Sequence, residues 1–350
     1  MTAPFPWMIY GANGYTGKLI AERAVREGLT PILAGRDAEK IRPLAQKLGL
    51  QWRAFPLTAD KIDTGLKGIS LVLHCAGPFA KTSAPMVAGA LRNRVHYLDI
   101  TGEIGVFEKV LAQDKEAQQA GVSLIPGVGF DVVPTDNLAA TLAKRLPGAT
   151  HLEIAFDPNG KASQGTLKTA VEMLAKGGRI RKEGKLLFVP LAHEVKQVTF
   201  SHRTRTVAAI PWGDVSSAYF STTIPNITCY MAQPKAVIRA MQASRRVSRL
   251  AGLGIVQKGL SKLIESTVSG PTEAERKNGK CYLWAKVSRG NQSVSAQLEV
   301  AEGYEFTVLA ALASVRHLME NPDLKGALTP SQAFSESFVM TLPGSRWIDL

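Results

Sequence analysis

Three glycines spaced three residues apart stand near the start of the chain, directly after the short apolar run 7–10. A glycine turn lets the main chain approach a diphosphate closely, and a helix that begins at the turn offers N–H groups and partial positive charge to the same phosphates. The pattern predicts a dinucleotide-binding turn; the alternative is a glycine loop used only for packing. The residues expected at the diphosphate are Gly11, Asn13, Gly14, Tyr15, Thr16 and Gly17.

The residue that would select between the two nicotinamide dinucleotides follows the next apolar run, 30–35. At this position an acidic residue binds the ribose hydroxyl of NAD, whereas an arginine accommodates the 2′-phosphate of NADP. Arg36 stands there, and the next acid, Asp37, is better explained as the N-cap of a helix over 38–48. The sequence therefore favours NADP over NAD, with Arg36 as a solvated surface charge as the alternative.

A second candidate cofactor contact follows the run 70–75, which is apolar almost throughout and typical of a buried parallel strand. In open α/β sheets, ligands bind outside the carboxyl ends of the strands, and small residues there let the backbone pass close to a ligand. We expect the loop to lie on the nicotinamide side, and we expect His74 and Cys75, inside the strand, to be core residues. The loop consists of Ala76, Gly77, Pro78 and Phe79.

Carboxylic acids follow two later strands of the same segment. Asp99 ends the run 95–99, and Asp131 stands in the loop 126–136 after the run 122–125. Because the carboxyl ends of parallel strands meet at one edge, both acids are expected on the same rim as the glycines. Asp131 is the first candidate proton donor and Asp99 the second, although either could equally cap a helix. Thr101 and Glu103 share this rim, with capping of a helix over 103–120 as their alternative role.

The elements that must position these residues divide the chain in two. Six strands alternate with helices up to residue 145, which predicts an α/β fold with a Rossmann doubly wound parallel sheet. From residue 151 short strands predominate, including an expected hairpin of 282–287 and 293–300, which predicts a second, α+β domain with a mixed sheet. The expected domains are 1–145 for NAD(P) binding, 146–303 for substrate or dimerisation, and 304–350 as a C-terminal helix and tail returning to the Rossmann domain.

One motif in the second half is misleading. Tyr282 and Lys286 match the Y-x-x-x-K pattern of short-chain dehydrogenases, a pair that works on a helix, where positions i and i+4 are neighbours. The segment has the pattern of a strand, on which four steps would place the two residues about 13 Å apart. We therefore reject this motif.

Composition excludes several classes of protein. The chain has 350 residues, of which 45% are hydrophobic, but no apolar run reaches the ~20 residues of a membrane helix. The start lacks the pattern of a signal peptide, and three scattered cysteines favour a reducing compartment, so a cytoplasmic location is expected. Six histidines form no metal-binding pair, so no metal is expected.

The net charge of +13 is concentrated in the middle of the chain. Residues 151–264 hold 17 Lys and Arg against 6 Asp and Glu, a local net charge of 17 − 6 = +11. Within them, 235–264 is basic with apolar residues at helical spacing, which fits a core or homodimer contact, or an anionic membrane surface contacted peripherally. Nucleic acid is not expected, because no aromatic residues interleave with these charges. An anionic or lipid-like small molecule is the expected substrate class.

Five stretches resemble the saccharopine dehydrogenase-like oxidoreductase family. They are 11–17 (GANGYTG), 34–36 (AGR), 76–79 (AGPF), 97–103 (YLDITGE) and 129–136 (GFDVVPTD). The last is the most specific; together with 328–334 it is similar to the branch that contains trans-acting enoyl reductases and the animal saccharopine dehydrogenase-like oxidoreductase. The resemblance is strong over roughly 8–140 and thin between 185 and 300.

The resemblance implies a Rossmann domain that binds NADP, an inserted α/β domain and a C-terminal helix that returns to the first domain. It does not imply that saccharopine is the substrate. The expected function is an NADP(H)-dependent oxidoreductase that transfers a hydride to a C=C, C=O or C=N bond. The alternative is a non-catalytic Rossmann scaffold that senses nucleotide or associates with membrane lipid.

Overall fold

The computed structural model describes residues 5–158, 177–243 and 271–349, and the chain divides into two compact units. Unit 1 comprises the residues up to 133 together with 306–335, and unit 2 comprises 134–305 and the residues from 336 onward. The division thus falls before the helix that ends near 145. This helix groups with unit 2 because its Asn137 accepts a hydrogen bond from the backbone N–H of Val339 and its Asp136 accepts one from Ser221.

Strands and helices alternate through the first 145 residues. The strands are β1 (Trp7–Tyr10), β2 (Ile32–Gly35), β3 (Trp52–Ala54), β4 (Leu71–His74), β5 (His96–Asp99) and β6 (Ser123–Ile125). The helices are α1 (Tyr15–Arg26), α2 (Ala38–Leu48), α3 (Ala59–Gly65), α4 (Phe79–Asn93), α5 (Ile104–Leu111), α6 (Asp114–Ala120) and α7 (Val133–Arg145).

The second half is richer in strands. These are β7 (His151–Pro158), β8 (Gly178–Lys182), β9 (Lys185–Val189), β10 (Val195–Thr199), β11 (Thr204–Ala209), β12 (Asn226–Ala232), β13 (Lys280–Arg289), β14 (Gln292–Ala301), β15 (Gly326–Ala327) and β16 (Arg346–Asp349). The helices are α8 (Asp214–Thr222), α9 (Lys235–Ala243), α10 (Glu273–Asn278), α11 (Gly303–Glu320) and α12 (Pro330–Phe334). A helix expected after Gly165 lies outside the described residues.

The described part of unit 1 contains a seven-stranded sheet in the order β15-β6-β5-β4-β1-β2-β3. Every neighbouring pair is parallel, which confirms the predicted doubly wound sheet. Strands β1, β4 and β5 are buried along their whole length, as expected when helices cover both faces. The strand order reverses between β1 and β4, and at such a switch point a crevice opens at the carboxyl edge.

Two features of unit 1 differ from the prediction. The seventh strand, β15, was not expected, because Gly326 and Ala327 form no apolar run; backbone pairing with β6 places it at the sheet edge. The single helix expected over 103–120 is two helices, α5 and α6. After the break, Asp114 in the first turn of α6 accepts a hydrogen bond from the N–H of Ala327 at 2.9 Å, so α6 contacts the unexpected strand β15.

Unit 2 is built on a mixed sheet in the order β10-β11-β12-β7-β13-β14-β16, with β8 and β9 joined to it through β12. The end of the chain differs from the expectation, because β16 pairs with β14 in this sheet instead of returning to the Rossmann sheet. A guanidinium nitrogen of Arg346 lies 2.9 Å from Glu299 on β14, an ion pair that adds to the backbone pairing.

Tyr282 and Lys286 lie on β13, which confirms that they do not form the helical pair of short-chain dehydrogenases.

Within the described ranges, the structure contains no helix with both the length and the apolar character needed to cross a bilayer. Helix α9 covers the start of the basic stretch 235–264. Its Ile238 and Met241 are buried, whereas Lys235, Val237 and Arg239 are exposed, so only part of its apolar stripe faces the protein interior. The remainder, 244–264, lies outside the described residues.

Candidate functional site

The three glycines of the first turn are constrained by different contacts. Gly11 has φ +87°, and a Cβ added there would lie 2.7 Å from the backbone nitrogen of Ala76 and 2.8 Å from the carbonyl carbon of Cys75. A Cβ at Gly17 would lie 2.4 Å from the carbonyl oxygen of Gly11. Real Cβ atoms do not approach backbone so closely, so packing alone requires glycine at these two positions.

Gly14 is the member of the triad that packing constrains least. It is exposed, its backbone is extended (φ −71°), and the nearest atom to an added Cβ is the carbonyl oxygen of Gly11 at 3.2 Å. Gly14 is also the N-cap of α1, where it provides no capping side chain, and the first turn of α1 contains no acidic residue. Four N–H groups at a helix start lack intrahelical partners, so this end suits a diphosphate.

The neighbouring residues of the turn fit the same ligand. Tyr15 and Thr16 are half-buried in the first turn of α1, and Asn13 is exposed. The side-chain oxygen of Asn13 lies 3.1 Å from the point that a Cβ on Gly35 would occupy, so Asn13 reaches from the glycine turn to the end of β2. The predicted diphosphate residues are therefore together at the carboxyl edge of β1.

Arg36 follows β2 at the same edge and is exposed. Burial raises the pKa of the nearby Tyr10 to about 12, and the positive charge of Arg36 acts in the opposite direction. Within the described chain Arg36 forms no ion pair, so its charge remains available to a phosphate. Asp37 accepts a hydrogen bond from the N–H of Glu39 at 3.0 Å, which confirms its predicted role as the N-cap of α2.

The loop of residues 75–79, here called the cofactor loop, runs from β4 into α4. It contains Ala76, Gly77 and Pro78, and α4 begins at Phe79. The carboxylate of Glu103 accepts hydrogen bonds from the N–H groups of Phe79 at 2.8 Å and of Ala80 at 3.0 Å. A carboxylate of the chain itself therefore occupies the N-terminus of α4, which directs an anionic ligand to α1 instead.

His74 has the surroundings of a core residue, as the sequence indicated. It has no exposed surface, and its ring stacks on Tyr10 with 5.5 Å between the ring centroids. Its Nε2 lies 3.0 Å from the hydroxyl of Thr82. Burial lowers the pKa of His74 to about 3, so the imidazole is neutral at physiological pH. Burial likewise raises the pKa of the adjacent Cys75 thiol, which makes a reactive thiolate unfavourable.

Asp99 is fully buried at the end of β5, and donors from the protein surround its carboxylate. The hydroxyl of Tyr97 donates to it at 2.7 Å, the N–H of Thr101 at 3.0 Å and the N–H of Gly127 at 2.9 Å. Burial raises the pKa of Asp99 to about 6, and these hydrogen bonds oppose the rise. A carboxylate held in this way connects two loops and is poorly placed to give a proton to a ligand.

Asp131 lies in the loop of residues 126–132, here called the acid loop, and is half-buried. Its carboxylate rests against Gly102, where an added Cβ would lie 2.6 Å from Oδ2 of Asp131. Burial raises the pKa of Asp131 to about 7. A carboxylic acid with such a pKa retains its proton in a large fraction of molecules at neutral pH, which suits a general acid. Asp131 therefore remains the first candidate for this role.

Sequence reasoning placed Glu103 on this rim without its partners, and it missed Thr307. Glu103 was considered as a cap of α5, whereas its carboxylate closes the start of α4. Thr307, on the part of α11 that belongs to unit 1, accepts a hydrogen bond from the N–H of Phe130 at 3.0 Å and so anchors the acid loop. Neither contact has a local signal, because each joins segments that are distant in the sequence.

Among the described residues, no cluster of three or more His, Cys, Asp and Glu side chains could hold a metal ion.

Comparison with known proteins bears on the cofactor and on the fold. Residues 7–125 match the family described as the saccharopine dehydrogenase NADP binding domain, which supports NADP as the dinucleotide. The human saccharopine dehydrogenase-like oxidoreductase is 26% identical over 206 residues, 51% of this chain and 48% of that protein. The trans-acting enoyl reductase of Mycobacterium leprae is 33% identical over 151 residues, 41% of this chain and 36% of that protein. The aligned regions thus cover half or less of each relative's length.

A solved structure shows the same fold across the whole chain. The apo saccharopine dehydrogenase (L-Glu forming) from Saccharomyces cerevisiae superposes with a TM-score of 0.66, covering 99% of this chain and 100% of that one. The two sequences are 11% identical, so the likeness concerns the fold alone. It agrees with the predicted combination of a Rossmann sheet and a second mixed sheet.

The open start of α1 generates a first prediction. Gly14→Asp places a carboxylate at an N-cap position whose extended backbone suits it. The unfolding free energy should stay within about 1 kcal/mol of wild type, whereas NADPH binding should weaken by roughly a hundredfold, because the new charge repels and displaces the diphosphate. Calorimetric titration and thermal unfolding measure the two effects.

The matched control is Gly105→Asp, which adds the same charge in the first turn of α5, where a Cβ would meet nothing within 4 Å. This variant should bind NADPH like wild type. Unchanged NADPH binding in Gly14→Asp would contradict the placement of the diphosphate.

The raised pKa of Asp131 generates a second prediction. A carboxyl group whose pKa is higher in the folded state than in the unfolded state destabilises the folded state once it ionises. This destabilisation is absent at low pH and complete above pH about 7. Asp131→Asn replaces this carboxyl group with an amide that does not ionise. Its unfolding free energy, relative to wild type, should increase by on the order of 2 kcal/mol between about pH 4 and pH 8.

Thermal unfolding at several pH values measures this difference. Asp323→Asn, at an exposed position of unit 1, is the control and should show no comparable trend. A stability difference independent of pH in Asp131→Asn would show that Asp131 ionises as an ordinary surface acid.

Proposed function

We propose that this chain, whose residues 7–125 match the saccharopine dehydrogenase NADP binding domain, is an NADP(H)-dependent oxidoreductase that reduces a C=C, C=O or C=N bond. The observation that carries the proposal is the division of charge along the carboxyl edge of the unit 1 sheet. Arg36 and the uncapped start of α1 follow β2 and β1, whereas Asp131 follows β6 on the other side of the switch point. An anionic dinucleotide and a proton donor would thus be held at separate positions of one rim.

The residues around the switch point bind and orient the cofactor. The N–H groups at the start of α1 and the exposed backbone of Gly14 would hold the diphosphate, and Arg36 would hold the 2′-phosphate. The cofactor loop, with Ala76, Gly77, Pro78 and Phe79, would line the nicotinamide side. When bound, NADPH supplies a hydride from C4 of its nicotinamide ring.

Reduction of a C=C, C=O or C=N bond also needs a proton, and Asp131 would supply it. Its half-buried position gives access to a ligand, and its pKa of about 7 lets it donate near neutral pH. Asp99 was the second candidate in the sequence. Its two carboxylate oxygens are engaged by three donors of the protein, which favours a structural role for this acid.

The proposed substrate class rests on the name of one relative and on the local excess of positive charge. One relative is named a trans-acting enoyl reductase, so an α,β-unsaturated thioester is the first acceptor class to test. The excess of positive charge in residues 177–243, with 9 Lys and Arg against 3 Asp and Glu, favours an anionic molecule. A lipid-like substrate, peripheral membrane contact and a homodimer remain part of the proposal, which gives no role to nucleic acid.

Arg36 provides a test of the cofactor assignment. Arg36→Ala removes the only charge proposed to bind the 2′-phosphate, so NADPH affinity should fall by about 10- to 100-fold while NADH affinity stays unchanged. Calorimetric titration with both nucleotides measures the change.

The control is Arg42→Ala, which removes an exposed arginine of α2 that pairs with Glu39 and should leave both affinities unchanged. Equal binding of NADPH and NADH by the wild-type protein, unaltered in Arg36→Ala, would contradict the assignment of the 2′-phosphate.

Turnover is tested with a panel of acceptors. Enoyl thioesters, aldehydes and ketones, and imines formed from a ketone and an amine are each mixed with NADPH, and NADPH oxidation is followed by absorbance. With an accepted substrate, Asp131→Asn should lower kcat by about 10²- to 10⁴-fold and leave NADPH affinity unchanged, because the variant loses a proton donor and no cofactor contact. Asp323→Asn should keep wild-type turnover.

The alternative function, a nucleotide-sensing or lipid-associated scaffold, makes the opposite prediction. A scaffold would bind NADPH yet oxidise none with any acceptor in the panel. Sustained, substrate-dependent NADPH oxidation would exclude it.

A further inference from the structure

A continuous set of hydrogen bonds runs along the rim of unit 1, from the acid loop to the cofactor loop. Its first link joins Gly127 of the acid loop to Asp99, which accepts the Gly127 N–H at 2.9 Å. The same oxygen of Asp99 accepts the N–H of Thr101 at 3.0 Å. Asp99 thus holds the segments that follow β6 and β5 at a fixed separation.

The later links continue from β5 to β4. The hydroxyl oxygen of Thr101 accepts the N–H of Glu103 at 3.1 Å, and the carboxylate of Glu103 accepts the N–H groups of Phe79 and Ala80. Phe79 is the last residue of the cofactor loop and the first of α4. We call the set of Asp99, Thr101 and Glu103 the rim relay.

The burial of the rim relay indicates that its geometry is well determined. Asp99 and Thr101 have no exposed surface, and the hydroxyl of Tyr97 fixes the second oxygen of Asp99. Buried polar groups lose solvation, so each is costly unless its partners are in place. Moving one link therefore leaves its neighbour unsatisfied, and the loops tend to move together.

The acid loop carries the candidate proton donor on the same scaffold. The carboxylate of Asp131 lies against Gly102, which stands between Thr101 and Glu103 of the rim relay. A shift of this segment would move the surface on which Asp131 rests. The position of the candidate acid is therefore set jointly by its own loop and by the relay.

We propose that Asp99, Thr101 and Glu103 are positioning residues that hold the acid loop and the cofactor loop in register, so that the proton donor and the nicotinamide side keep a fixed spacing. The names of the two loops rest on the proposed function, whereas the mechanical link between them does not. Asp99 then acts through Gly127 and Thr101 and touches no reacting atom.

Hydrogen exchange in the free protein tests the link without any substrate. It is followed by mass spectrometry on peptides covering 75–82, 99–105 and 126–132. Asp99→Ala removes the shared acceptor, so exchange should become faster by at least about tenfold in all three peptides, including 75–82, whose N–H groups at Phe79 and Ala80 bond to Glu103 and not to Asp99. Faster exchange confined to the other two peptides would overturn the proposal.

Asp99→Asn keeps a hydrogen-bonding side chain at this position and removes its negative charge, so it tests which of the two holds the loops. The amide oxygen of asparagine can accept the N–H groups of Thr101 and Gly127, and its NH₂ group can donate to the hydroxyl of Tyr97. This variant should keep nearly wild-type exchange in all three peptides. Exchange as fast as in Asp99→Ala would show that the charge, not the arrangement of acceptors, holds the loops, and would overturn the positioning role.

Thr101→Val cuts the rim relay in the middle and nearly conserves side-chain volume, so it serves even where Asp99→Ala does not fold. Exchange should become faster in 75–82 and stay slow in 126–132, because the bond between Asp99 and Gly127 remains. Unchanged exchange in 75–82 would contradict the relay. The control is Asp37→Ala, which removes an N-cap carboxylate at the same edge and should affect only the start of α2.

Catalysis adds a readout that separates this inference from the proposed function. With an accepted substrate, Asp99→Asn should keep kcat within about fivefold of wild type, whereas Asp131→Asn should lose the proton donor. A loss in Asp99→Asn as large as in Asp131→Asn would identify Asp99 as the acid and overturn its positioning role. Absence of turnover in the wild-type protein would contradict the proposed function and leave the exchange experiment decisive for the relay.

Discussion

The arrangement of the site depends on one close approach of backbone to backbone, between Gly11 and the segment Cys75–Ala76. A Cβ on Gly11 would lie within 2.8 Å of three atoms of that segment, so even a methyl group would push the two apart. These residues follow β1 and β4, the neighbouring strands between which the strand order reverses. The crevice that opens at a switch point is therefore bounded by two turns in direct contact, and the glycine is required by the fold before any ligand is considered.

The chain distributes its own charges around this crevice. On the side of β1 and β2, the start of α1 lacks a capping side chain and Arg36 forms no ion pair within the described chain, so this side attracts anions. On the side of β5 and β6, Asp99, Glu103 and Asp131 bring carboxyl groups, and Glu103 closes the start of α4. Two helix starts at one edge thus differ in what they can bind. The difference arises because the carboxylate of Glu103 binds the N–H groups at the start of α4 and no side chain caps the start of α1.

Local patterns predicted most of unit 1 but not its irregular parts. Helix α2 was predicted residue for residue, because an N-cap aspartate and helical spacing are properties of adjacent residues. The addition of β15 was not, because its contact between Ala327 and Asp114 joins residues more than two hundred positions apart in sequence. The pattern of 103–120 also did not indicate that α5 and α6 are separate helices. The tail was expected to return to the Rossmann domain, whereas its strand β16 pairs with β14 in the sheet of unit 2, a contact that no local pattern indicates.

By itself, the sequence determined the parallel sheet, the glycine turn, Arg36 as the candidate 2′-phosphate contact and the family resemblance, since each depends on residue types at short spacing. Only the tertiary structure decided which glycine is left for a ligand, because Gly11 and Gly17 are fixed by atoms from other segments. The tertiary structure also distinguished the two candidate acids, which are both aspartates on the same edge of the sheet. Asp99 is surrounded by three donors, of which Gly127 comes from a distant segment, and Asp131 is half-buried; such surroundings exist only after folding.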